Sequence, residues 1–145
     1  MKNPDSTKTK VKEITMRIEH VAIWVMDIEK IKTFYEKYFG AKACPKYFNE
    51  EKKFQSYFLK FSSGARLELM HRPDIGIDKG KKLVQQFVGY SHIAISMGSE
   101  MAVNIVTERL IDDGYDCIDG PRRTGDGYYE SVVFDPEKNR IEITV

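Results

Sequence analysis

Cysteine is scarce in this chain, with two in 145 residues, Cys44 and Cys117. Two thiols so far apart make no disulfide framework and match no zinc-ribbon or redox spacing, which predicts reduced thiols in a reducing compartment, the cytoplasm. An excess of one charge is lacking too. The 23 basic and 22 acidic residues leave a formal net charge of +1 and are interspersed along the chain, which excludes a field built for nucleic acid or an anionic membrane. No apolar run reaches the length of a membrane span, and the opening MKNPDSTKTKVKE has basic residues with no apolar stretch behind them, so neither insertion nor secretion is expected. What is present is 41% hydrophobic and 31% charged residues, enough for one well-buried core and too few in total for two ordinary domains.

Residues 1–15 are polar and aperiodic and read as a mobile tail. From residue 16 the pattern changes. Val21, Ile23 and Val25 alternate with His20, Ala22 and Trp24, the period of a strand with two distinct faces. Asp27 offers a helix cap, Ile28, Ile31, Phe34, Tyr35, Tyr38 and Phe39 recur at helical steps, and Gly40 supplies the stop. Segments 42–48, 54–61 and 65–70 read as three further strands. The second half repeats this order: a strand at HIAISM (His92–Met97), a helix over Glu100–Asp113 ending at Gly114, strands over Tyr115–Asp119 and Tyr128–Phe134, and a last strand RIEITV. The loop 72–89 joins the halves and is expected to carry a helical turn around Lys82–Phe87. One domain over 16–145, built from modules 16–71 and 90–145, follows from a unit used twice. Its expected class is α+β: two tandem β-α-β-β-β modules forming an open, curled mixed sheet with helices on the outer face.

The repeat also places polar residues. His20, Ala22 and Trp24 share one strand face, and His92, Ala94 and Ser96 repeat that choice. In the closing strands of the modules, Glu68 and Glu142 lie opposite the apolar pairs Leu67 with Leu69 and Ile141 with Ile143. Each module thus contributes one His and one Glu to the face away from the helices. If a pseudo-twofold axis relates the modules, all four can meet at one point, and two imidazoles with two carboxylates make a complete ligand set for a divalent ion. Taken singly, each residue is better read as a hydrogen-bonded or solvated strand residue than as a ligand. Their recurrence at equivalent positions favours metal binding. His71 has no counterpart and reads as a loop histidine.

The openings IEHVAIWVMDIEKIKTFYEKYFG and SHIAISM and the ending DPEKNRIEITV resemble the vicinal oxygen chelate superfamily, which includes glyoxalases, ring-cleaving dioxygenases, methylmalonyl-CoA epimerases and fosfomycin or bleomycin resistance proteins. The resemblance covers residues 16–145. It implies a single divalent ion (nickel, cobalt, zinc, manganese or iron), no organic cofactor, and His20, Glu68, His92 and Glu142 as metal ligands in the pattern of the lactoylglutathione lyase branch. It implies a lyase or isomerase that stabilises an enediolate from a small 2-oxo or hemithioacetal-type substrate, with Glu142 as the base and Glu68 as the second carboxylate. The alternatives within the family are a small-molecule-binding resistance protein, a ring-cleaving dioxygenase or an epimerase. It also implies a homodimer, with the metal site either within a chain or shared between two. Glutathione-using members carry Arg four residues after the first His and Asn four after the first Glu, where this chain has Trp24 and Arg72, so glutathione is not implied. Trp24 is an aromatic wall for a different substrate or else a core or interface residue. Arg122, Arg123 and Tyr128 fall in or beside the loop GPRRTGDG, which reads as a clamp for a substrate carboxylate or phosphate or as a solvated turn.

Overall fold

Helix α1 (Ile28–Phe39) shows most directly how the sequence becomes structure. The Asp27 side chain accepts from the Lys30 backbone N–H at 2.9 Å, and Gly40 closes the helix in the left-handed region at φ 62°. Ile28, Ile31, Phe34, Tyr35 and Tyr38 are buried along one face. The structure, a computed structural model, describes residues 16–77, 86 and 88–145. The expected tail lies outside these residues, as does nearly all of the helical turn expected over 82–87.

Strand β1 (His20–Trp24) precedes α1, and β2 (Lys42–Ala43), β3 (Tyr47–Asn49), β4 (Phe54–Lys60) and β5 (Arg66–His71) follow it. They form a five-stranded mixed sheet in which β1 pairs parallel with β5, β5 antiparallel with β4, and both β2 and β3 antiparallel with β4. The single strand expected over 42–48 is two short ones. Pro45 has no N–H to give the ladder, and the register on β4 slips by one residue between β2 and β3, as at a bulge. His71 closes β5 rather than lying in a loop, and its Nδ1 is 3.0 Å from the Val25 carbonyl oxygen.

The second module comprises β6 (Ile93–Ser96), α2 (Glu100–Asp112), β7 (Cys117–Arg123), β8 (Tyr129–Phe134) and β9 (Arg140–Thr144), its sheet ordered β6-β9-β8-β7 with β6 parallel to β9. Ser99 caps α2 by accepting from Ala102 N–H at 3.2 Å. The loop expected at GPRRTGDG is half strand. Strand β7 runs through Gly120, Pro121, Arg122 and Arg123, and the register irregularities between Cys117 and Arg122 accommodate both turn-forming residues. The turn proper is at Thr124–Tyr128, closed by Thr124 N–H to the Tyr128 carbonyl at 2.8 Å. The architecture is therefore α+β, with unclosed mixed sheets of five and four strands and two helices among the described residues, none long and apolar enough to cross a membrane.

One core serves both modules. Leu67 and Leu69 of β5, Ile141 and Ile143 of β9, and the buried faces of α1 and α2 form a single cluster. Tyr115, just after α2, packs its ring on Phe34 and Tyr38 of α1 at centroid distances of 5.0 and 5.5 Å. Lys37 reaches Asp113 at 2.8 Å and the Tyr38 hydroxyl donates to the same carboxylate, which holds Asp113 below its ordinary pKa. Glu137, in the β8–β9 turn, accepts the backbone N–H groups of Met26 and Asp27 at 2.7 and 2.6 Å, placing a carboxylate at the positive end of α1. Glu137→Gln keeps one acceptor and turns an amide N–H₂ against the other donor. It should cost about 1–2 kcal/mol. A lower urea midpoint at unchanged slope would show this, and an unmoved midpoint would show that the joint does not depend on the carboxylate.

Candidate metal centre

The face of the first sheet opposite the core carries His20. Exposure alternates along β1, with His20, Ala22 and Trp24 outward and Val21 and Ile23 inward, and the parallel register sets Ala22 beside Glu68. The His20 Nε2 lies 3.7 Å from Glu68 Oε2. Its other ring nitrogen, Nδ1, is 2.5 Å from a carboxylate oxygen of Glu19. Glu19 is held below the ordinary carboxylate range, first by this hydrogen bond and also by Arg66, whose Nε donates to its second oxygen at 2.7 Å. An ionised carboxylate only accepts, so Nδ1 carries a hydrogen toward Glu19, and Nε2 is directed at Glu68. The Phe58 ring meets the imidazole edge to face at 5.2 Å and fixes its plane.

The second sheet repeats the device. His92, one residue before β6, has Nε2 3.1 Å from Glu142 Oε2 and Nδ1 3.3 Å from Ser91 Oγ, and Glu142 stands beside Ala94 in the parallel ladder. In both modules, then, the residue preceding the histidine engages Nδ1 and leaves Nε2 to the glutamate. Orientation of this kind is what a metal-ligating imidazole needs. On the same face, Glu130 of β8 pairs with Thr144 and Arg122, one register step from Glu142. Burial raises its pKa first, and the neighbouring Glu142 charge adds to that.

The structure gathers these residues as two pairs and not as one cluster of four. Among the described residues no three of His, Cys, Asp and Glu stand close enough to hold one ion. The reason is the shared core: Leu67 and Leu69 point into it from β5 and Ile141 and Ile143 from β9, so Glu68 and Glu142 emerge on faces turned away from it. Of the two arrangements left open by the sequence, a site within one chain or one shared between two, the described residues of one chain do not form the first. Each face is also open. Glu68 and Glu142 keep 14% and 21% of their side-chain surface exposed, and two concavities of about 420 and 540 Å³ elsewhere on the chain are lined by other residues.

The other expected site residues divide. Trp24 lies on the His20 face, 41% exposed and edge to face with Phe54 at 6.1 Å. Arg122 is bound through three contacts to Asp119, and Arg123 is paired with Glu100, so both guanidinium groups already have carboxylate partners. Tyr128 is exposed in the turn. Glu19, Phe58 and Glu130 belong to these faces and escape sequence reading. The one available signal was position, since Glu19 immediately precedes His20 and Glu130 occupies in the second module the place of Ser56 in the first.

A model of the Glyoxalase/Bleomycin resistance protein/Dioxygenase superfamily matches residues 17–143. The fold is similar to the trypanothione-dependent glyoxalase I of Leishmania major, with a TM-score of 0.70 and 22% identity over 90% of this chain and 86% of that one. It is similar to a glyoxalase I mutant from Zea mays, with a TM-score of 0.70 and 20% identity over 88% of this chain and 44% of that one. The fosfomycin resistance protein of Listeria monocytogenes also resembles it, with a TM-score of 0.68 and 17% identity over 90% and 94% of the two chains. No curated protein matches the chain.

Proposed function

Since the chain belongs to the glyoxalase/bleomycin resistance protein/dioxygenase superfamily, we propose that it is a divalent-metal-dependent glyoxalase-like lyase or isomerase acting on a small 2-oxo or hemithioacetal-type substrate. The observation that carries this reading is the twofold recurrence of an oriented histidine with its glutamate, His20 with Glu68 and His92 with Glu142. Each pair offers one nitrogen and one carboxylate, half of a four-donor set for nickel, cobalt, zinc, manganese or iron. The two pairs do not form one cluster within the described residues of one chain, so in this reading the complete set is assembled from the His20–Glu68 pair of one protomer and the His92–Glu142 pair of a second, in a homodimer. Such pairing would also cover two open faces and exclude water from the reaction. An ion held there supplies electrostatic stabilisation of the negative charge that develops on adjacent substrate oxygens as a proton leaves carbon. Glu142 carries that proton between neighbouring carbons, Glu68 stands ready on the other side, and Glu19 and Ser91 keep the imidazoles in place.

Complementation between two inactive variants tests the shared site. His20→Ala lacks the first half and His92→Ala the second, so neither should exchange the proton next to a substrate carbonyl. Mixed and reannealed, half the dimers are heterodimers with one intact site each, which should restore roughly a quarter of wild-type exchange. The unmodified protein, purified without chelator, should carry about one divalent ion per chain. No metal and no exchange under any loading condition would leave simple capture of a small molecule. Oxygen uptake would point instead to ring cleavage.

A further inference from the structure

Beside the His20–Glu68 pair the same sheet face carries an aromatic platform, and we infer that it binds a flat aryl group on the non-reacting end of the substrate. Trp24 is set by β1 on the side of His20, with only the small Ala22 between them, so the floor from imidazole to indole is open. In the register Ala22 stands beside Glu68 and Trp24 beside Met70, which puts the indole about 7 Å along the strand from the glutamate. Phe54 meets the indole edge to face at 6.1 Å, and Tyr47 lies 6.1 Å from Phe54. The Arg72 guanidinium lies over the indole, 5.6 Å from the ring centre, and is tied to Asp74 at 2.5 Å, so its charge is compensated and one face of the indole is taken. What the platform presents beside that ion pair is the exposed ring surface of Trp24 and Tyr47, the complement of a planar aryl group.

The size of the patch suits one small ring system. Trp24 is 41% and Tyr47 54% exposed. At 150–250 Å² for a whole aromatic side chain this leaves roughly 200 Å², enough for one or two fused rings and well below the roughly 800 Å² that each partner gives a standard protein interface. The platform's continuity with His20 and Glu68 places the bound ring a short spacer away from the reacting atoms. This inference rests on the lyase reading for the position of those atoms, and its test separates the two.

The test uses the full chain as purified without chelator and compares 2-oxo-4-phenylbutanoate with 2-oxobutanoate, which lacks the ring. Trp24 is the one tryptophan of the sequence, so tryptophan emission, excited where tyrosine does not absorb, reports on the platform. The phenyl compound should change the emission saturably and bind at least tenfold more tightly. By calorimetry that preference should vanish in Trp24→Ala and survive in part in Trp24→Phe. Equal affinities in the wild type, or a tenfold preference that persists in Trp24→Ala, would overturn the platform. Hydrogen exchange with solvent at C3 of the ligands reads the chemistry separately. A ring preference without exchange supports the platform and removes the lyase reading, whereas exchange without a ring preference does the reverse.

Discussion

Glu142→Gln should slow exchange of the substrate's carbon-bound proton with solvent by about 10²–10⁴-fold, the range for removing a positioned acid–base group. Glutamine fills the same volume, so the ladder contacts of Glu142 with Ala94 and Val132 are kept and the buried Ile141 and Ile143 on either side are untouched. What is lost is a negative charge 3.1 Å from the His92 Nε2 and the capacity to take up a proton. Glu130 cannot stand in, because it pairs with Thr144, one register step and about 7 Å away along the sheet. Proton exchange followed by NMR, with metal counted in the same sample, resolves the two roles of the carboxylate. Lost exchange with metal retained identifies the proton carrier, loss of both identifies a ligand that the ion requires, and retention of both excludes Glu142 from the chemistry. Glu68→Gln should act more mildly, since Glu68 stands farther from its histidine, at 3.7 Å.

Pairs of this kind were half legible in the sequence. The period of two placed His20 and His92 on the same side of their strands as Trp24 and Ser96, and the offset of the closing strands placed Glu68 and Glu142 with them, because strand alternation is a local property. Helix α1 was legible to the residue for the same reason: its cap at Asp27 and its stop at Gly40 are contacts made within one turn. What could not be read is set across strands and across modules. Glu19 reaches His20 because Arg66 of the neighbouring strand holds its other oxygen, and Phe58 reaches the same ring from β4. Tyr115, Asp113 and Glu137 fasten the second module to α1 through contacts between segments far apart in sequence, which have no periodic signature. Turn chemistry misled in the other direction. Gly120 and Pro121 have the composition of a loop, yet they sit inside β7, where a bulge gives each a place.

Gly120 is the position where that bulge should prove least tolerant. Its φ of 76° lies in the region that residues with a side chain rarely occupy, and a Cβ added there would press on the Glu130 carbonyl oxygen and stand 3.0 Å from Ser131 Cα. Both obstacles are backbone of β8, which cannot turn aside as a side chain does. Gly120→Ala therefore combines a conformational cost with a steric one, together about 3–5 kcal/mol. For a domain of this size that corresponds to a fall of roughly 10–15 °C in Tm. Gly40→Ala isolates the first cost, since Gly40 has φ 62° but open space around its Cβ position, and should lower stability by only about 1 kcal/mol. Equal losses in the two variants would mean that β8 yields to the added methyl group. A larger loss at Gly120, together with weaker ligand binding on the His92 face, would show that the close approach of β7 to β8 is what holds Glu130 and Glu142 in register.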